Sequence, residues 1–160
     1  MRDLNRSQAD ILLSLMIIGT IIVFDRLTKI FFSKLLSLGE SLPVIPNIIH
    51  MTLVHNTGIA FGLFKDYGIV FIIIPVIAVV LLIFNLYYYR QNDAVLIPSY
   101  IIGFSLILAG AIGNLIDRIM FGYVIDFIDL RVWPVFNVAD SAITIGAVIV
   151  AFKCFQLSAK

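Results

Sequence analysis

Cysteine is almost absent from this chain: Cys154 stands alone, which excludes an internal disulfide and any metal centre built from several thiolates. Charge is scarce as well. Eleven Lys and Arg face ten Asp and Glu among 160 residues, for a net charge of +1. So small a balance, with the cations scattered rather than gathered into a stripe, argues against a nucleic-acid partner. There are two histidines, His50 and His55. Five apart on a strand-like stretch, they face opposite ways, which argues against a metal site. The chain also lacks a Ser/His/Asp pattern, a phosphate loop and metal-ligand spacing, and no cofactor is expected.

Hydrocarbon fills the chain instead. Hydrophobic residues make up 61% of it and the mean hydropathy is +1.08, far from soluble averages. Four apolar segments stand out, at about 11–32, 69–89, 94–113 and 135–155, each close to the ~20 helical residues that cross about 30 Å of hydrocarbon. The first is read as a permanent span, because Asp3 and Asp10 accompany Arg2 and Arg6 and no small-residue cleavage site follows. Its uninterrupted apolar part ends at Phe24, so a full crossing draws Asp25, Arg26 and Lys29 to the membrane edge. Pro75 predicts a kink in the second segment, and Tyr87, Tyr88 and Tyr89 before Arg90 read as an interfacial belt. Gly103, Ser105, Ala109, Gly110 and Gly113 suit the third to close packing as the central helix. The expected fold is an all-α integral membrane protein: one domain over 1–160, with four transmembrane helices. A small extramembrane β element is expected from residues 48–55 and the Asn56-Thr57-Gly58 turn signal.

With four crossings, both termini and the short 90–93 turn share one side, and two larger connections share the other. The count of positive charges does not orient the chain. Polar residues gather on the loop side: Asp25, Asp66, Asp117, Asp126, Asp129 and Asp140, with Asn56, Asn114 and Asn137. Counting back about 20 residues from Phe152 reaches Trp133 and draws Asn137, Asp140 and Ser141 into the last span. An ionisable group at that depth is a functional-site candidate. Asp126 lies on the connection between the third and fourth segments, and Pro134 breaks any continuous helix between it and Asp140. The two carboxylates meet only if that connection folds back. Paired carboxylates share a proton, so one accepts a proton from water while the other donates one. Arg118 or Lys29 could hold the remaining charge or orient an oxyanion.

Each of these residues has a plainer reading. Asn137 and Asp140 fit a helix cap and its favoured first-turn acid. Asp117 reads as the partner of Arg118 at a helix end. Asp25 and Lys29 fit a snorkelling interfacial pair as well as a site role. The residues alone narrow the catalytic carboxylates to Asp117, Asp126, Asp129 and Asp140. A proton- or ion-coupled transporter is the alternative function, although transport sites sit near the bilayer midplane rather than at one end. A noncatalytic membrane subunit is a third.

Five ordered motifs carry a resemblance. Asp25-Arg-Leu-Thr-Lys29, Asn56-Thr-Gly58-Ile-Ala60-Phe61, Gly110-Ala-Ile-Gly113-Asn114-Leu-Ile-Asp117-Arg118, Val124-Ile-Asp126-Phe127 and Phe136-Asn137-Val-Ala139-Asp140 resemble those of the bacterial lipoprotein signal peptidases. The resemblance implies an aspartic endopeptidase of the bacterial inner membrane, with cytoplasmic termini and a site near the outer surface. Its implied substrates are diacylglyceryl-modified prolipoproteins, cut before the lipidated cysteine. It selects Asp126 and Asp140 as the catalytic pair. Asn114, Arg118 and Asn137 are implied to line the site, and Asp25, Lys29, Asn56 and Gly58 to support it or the substrate. Membrane phospholipid is the expected surrounding, and a monomer the expected state. The chain departs from the family pattern at Ile59, where a small residue is more usual, and in its short connection from Asp126 to Asp140.

Overall fold

A computed structural model describes residues 2–58 and 98–158, together with 76, 77, 80 and 84. Three long helices and a three-stranded antiparallel sheet make up the described part. In chain order they are α1 (Arg2–Leu35), β1 (Ser41–Ile45), β2 (Ile49–Asn56), α2 (Pro98–Phe121), β3 (Val124–Asp129) and α3 (Val138–Ser158).

Among the described residues two helices are long and apolar enough to cross a membrane, Gln8–Leu35 within α1 and all of α2. Leu12, Leu15, Met16, Val23, Phe24 and Leu27 all stand more than half exposed along α1, a bare apolar wall suited to lipid rather than water. Pro98 opens α2, where the missing N–H costs nothing and the fixed φ suits the helix. The expected second span falls mostly outside the described residues, as do Pro75, the Tyr87–Tyr89 belt, Ile59 and Asp66. From that segment, Val76, Ile77, Val80 and Phe84 are helical and exposed.

Among the described elements α2 packs against both α1 and α3, the central position expected of its small residues. A Cβ on Gly103 would stand 2.7 Å from a Val150 methyl, and one on Gly110 would overlap the Ala139 carbonyl oxygen. Backbone cannot step aside as a side chain can. Gly110→Ala is therefore expected to cost about 1–3 kcal/mol, the range for overpacking a tight contact. Thermal melting in detergent measures it, and an unchanged midpoint contradicts the closeness of α2 and α3.

The strand expected at 48–55 is β2, and it lies between β1 and β3. The local pattern of residues marks neither neighbour as a strand. β3 in particular corrects the placement of Asp126: it stands on a paired strand, not a free loop. The chain leaves α2 through Gly122, whose φ of 79° favours a residue without a Cβ, and enters β3 two residues later. Register then shifts between Met51 and Val54, so that two residues of β2 oppose Phe127, a bulge that re-aims the strand near the site. The sheet is fastened to the helices by a small core of Leu36, Leu53 and Ile125, flanked by Phe32, Met51 and Tyr123. Phe32 also stacks on Phe127 with ring centroids 4.5 Å apart. Thus the sheet sits where α1 and α2 end and α3 begins.

Candidate active site

Helix α3 begins at Val138, so Asp140 lies in its first turn, whereas a span counted back to Trp133 would place it about two turns inside. Two local features stop the helix from starting earlier. Pro134 interrupts it, and Asn137 forms a reciprocal cap with Asp140. The Asn137 Oδ1 accepts from the Asp140 backbone N–H at 2.8 Å, and the Asn137 N–H donates to Asp140 Oδ2 at 3.2 Å. This is the capping-box arrangement, with Asp in place of Glu. The plainer reading of Asn137 and Asp140, a helix cap and its first-turn acid, is therefore seen in the fold.

The short connection from Asp126 folds back by pairing with itself. Phe136 donates to the Ile128 carbonyl at 3.0 Å, while Ile128 and Phe127 donate to Phe136 at 2.8 and 3.1 Å. Asp129 holds the turn: it accepts from the Arg131 N–H at 2.8 Å, the Thr52 hydroxyl at 2.8 Å and the Arg131 guanidinium at 3.1 Å. Burial pushes the Asp129 carboxyl up, but those donors and the Arg131 charge outweigh it and hold it below the usual range. Asp129 is thus accounted for by structure. Nothing in the sequence pattern singled out Thr52 or Arg131 for this task.

The closed turn brings Asn137 beside Asp126. Asn137 Nδ2 donates to Asp126 Oδ1 at 2.7 Å, to the Asn114 carbonyl oxygen at 3.0 Å and to the Ile125 carbonyl at 3.2 Å. The other oxygen of Asp126 accepts from Asn56 Nδ2 at 2.9 Å, an amide oriented by the Gly58 N–H donating to Asn56 Oδ1 at 3.0 Å. Asn114 Nδ2 donates to Asp140 Oδ1 at 2.7 Å. The two carboxylates therefore share Asn137, whose side chain serves one and whose backbone serves the other. Asp126 is only 1% exposed. Burial foremost, and then the Asp140 charge, push it up to about 7 against the Asn56 and Asn137 amides and the Lys29 ammonium.

Behind the carboxylates lies a buried ionic cluster. Lys29 Nζ, with no exposed surface, meets Asp25 at 2.7 Å, Asp117 at 2.8 Å and the Asn114 carbonyl oxygen at 3.1 Å. Asp25 also accepts from the Ala139 N–H at 2.9 Å, tying α1 to the start of α3. Asp25 and Lys29 do not snorkel, because α2 and α3 cover them. Asp117 is paired, but with Lys29 and with Arg26 at 2.6 Å rather than with Arg118. Adjacent helical residues point to different faces, and Arg26 was the partner that sequence reading missed. Arg118 is half-buried, within the electrostatic reach of Asp140 and Asp126. Among the described residues its guanidinium makes no hydrogen bond or ion pair. His50 and His55 contact separate partners, Ser41 and Tyr123, and no cluster of metal-ligating side chains occurs among the described residues.

The likeness to known proteins covers most of the chain. The profile described as Signal peptidase (SPase) II matches residues 17–156. The lipoprotein signal peptidase of Halothermothrix orenii is 39% identical over 85% of this chain and 90% of its own length. That of Moorella thermoacetica is 44% identical over 86% and 87%. Two solved structures of a bacterial membrane enzyme superpose with TM-scores of 0.79 and 0.77 at 34% identity, covering 89% and 88% of this chain and 87% and 91% of theirs. With the profile spanning nearly all of the helices and sheet that carry the site, the chain belongs to the signal peptidase II family and is a membrane protease.

Proposed function

We propose that this protein removes the signal peptide from diacylglyceryl-modified prolipoproteins, cutting before the lipidated cysteine with Asp126 and Asp140 as the catalytic pair. The observation that carries this reading is one residue, Asn137, bonded to both carboxylates, by its side-chain amide to Asp126 and by its backbone N–H to Asp140. Four helices cross the inner membrane in this reading. The termini are cytoplasmic, the sheet lies on the outer side, and a monomer in phospholipid suffices.

Hydrolysis needs one carboxylate to take a proton from water as it attacks the scissile carbonyl, and the other to donate one. Two neighbouring carboxyls tend to share one proton, and the Asp140 charge is felt at Asp126. Asp126, the more deeply buried, is where that proton rests. Asp140 then carries the charge, favoured by the α3 N-terminus, which bears partial positive charge, and by Arg118 within reach. Asp140 takes a proton from water as the water oxygen bonds to the scissile carbon, and Asp126 protonates the developing oxyanion; when the C–N bond breaks, Asp140 gives its proton to the departing amine and the diol hydroxyl returns one to Asp126. No acyl-enzyme forms. Asn114, Asn137 and Asn56 keep the carboxylates aligned, with Gly58 orienting Asn56. Asp25 and Lys29 support them from behind.

The lipid anchor supplies binding energy, since each CH2 buried in the membrane is worth about 0.8 kcal/mol. A purified sample is expected to cleave a lipidated precursor far faster than the same precursor without its diacylglyceryl group. Equal rates on the two would overturn the lipid-directed reading, and a trapped acyl-enzyme would overturn the mechanism. The pH dependence follows from Asp126. Its pKa is raised to about 7, so the proton it must donate is present below that pH and lost as pH rises through it. For the free enzyme, kcat/KM is expected to fall on the alkaline side about a midpoint near 7. A profile flat from pH 6 to 9 would contradict Asp126 as proton donor.

A further inference from the structure

Lys29 touches neither carboxylate of the pair, yet it sits one amide away from Asp140. An asparagine side chain has a donor end and an acceptor end, and a half-turn about its last bond exchanges them. In Asn114 the carbonyl oxygen accepts from Lys29 Nζ at 3.1 Å and from Asn137 Nδ2 at 3.0 Å, and the NH2 donates to Asp140 at 2.7 Å. Turned over, the amide would set its NH2 against a buried ammonium and its carbonyl against a carboxylate, a repulsion at each end. Lys29 cannot withdraw, because Asp25 and Asp117 hold it at 2.7 and 2.8 Å with no exposed surface.

The geometry points to Lys29 as a positioning residue: it fixes the Asn114 amide so that a donor, and not an acceptor, always meets Asp140. This role rests on the aspartate-pair reading above and deepens it, giving the buried ionic cluster a task beyond holding the helices together. The fixed donor holds the Asp140 carboxylate in place to meet the attacking water. The other charged groups facing Asp140 are Arg118 from α2 and Asp126 from β3. Lys29 from α1 is the one that acts through an intermediary.

Charge balance and amide orientation can be separated. Asp25→Asn leaves Lys29 bonded to Asp117 and Asn114, but with one buried cation in excess. The double variant Asp25→Asn/Lys29→Met is balanced again, since Arg26 and Asp117 remain paired, yet Asn114 has lost its ammonium. All three chains are compared with a lipidated precursor in detergent micelles, by kcat, KM and melting temperature. The double variant is expected to lose roughly 10- to 100-fold in kcat relative to Asp25→Asn, the cost of losing a supporting partner in other sites. Its KM stays unchanged, so that the loss falls on kcat alone. A merely structural cluster predicts otherwise: kcat follows melting temperature across the three chains, and that outcome overturns the role. If the parent chain itself fails to cleave, the peptidase reading fails instead.

Discussion

Replacing either Asp126 or Asp140 by Asn is expected to abolish cleavage, with losses of 10³-fold or more for each, since a general acid or base is worth about 10²–10⁴ and each here serves both halves of the reaction. Asn keeps the shape and an acceptor oxygen, so the loss is one of proton chemistry. The double variant should be no worse than either single one, because residues that act as a unit are not additive. Retention of a tenth of the parent rate by a folded single variant would remove that residue from the chemistry. Asp126→Asn carries a second, opposite signature. A carboxyl raised from 3.8 to about 7 favours folding when protonated. That stability is fully present below pH 3.8 and is lost as pH rises through about 7, by roughly 4 kcal/mol at ~1.4 per unit. The variant, which cannot ionise, should therefore gain stability relative to the parent as pH rises from 4 to 8. Melting curves across that range decide it; a difference independent of pH would mean that Asp126 is not buried as described.

Lys29→Met is expected to destabilise the fold by about 3–5 kcal/mol, the cost of stripping one partner from a buried ion pair. Two carboxylates, Asp25 and Asp117, lean on that ammonium from opposite helices. Only Asp117 keeps another cation, Arg26. Adding Asp25→Asn should restore much of the loss, since a buried pair replaced by apolar or neutral groups is often nearly neutral in stability. Recovery in the double variant would identify the uncompensated charge as the cause. A double variant as unstable as Lys29→Met would point to packing of the lysine stem instead.

Long-range features were legible in the sequence where they obey simple counting. Span lengths located α1, α2 and α3, small residues marked α2 as the central helix, and β-branched residues marked β2. The polar residues at one end proved to be brought together: Asp25, Lys29, Asn56, Asn114, Asp126, Asn137 and Asp140 all join one network of hydrogen bonds and ion pairs. What counting could not supply was pairing. β3 is an apolar run broken by two aspartates, and its strand character comes from β2 beside it, a tertiary effect that no local pattern encodes. Asp117 found Arg26 rather than its neighbour Arg118 because helix geometry, not adjacency, sets partners. The start of α3 was misjudged for a similar reason. Hydropathy continues through Trp133 and Val135, but Pro134 and the Asn137 cap end the helix where hydropathy does not.

Asn137 reaches Asp126, Asn114 and Asp140 from the last turn before the final helix. In the order of synthesis, the network around the carboxylates is therefore unfinished until Asn137 and α3 arrive. A nascent chain halted after β3 has Asp126 but lacks its partner acid and the amide that joins them. If Asp126 and Asp140 are the pair, a ribosome that stalls before α3 leaves an inert membrane protein rather than a loosened hydrolase. Competence for cleavage is then acquired in one step, when α3 is made.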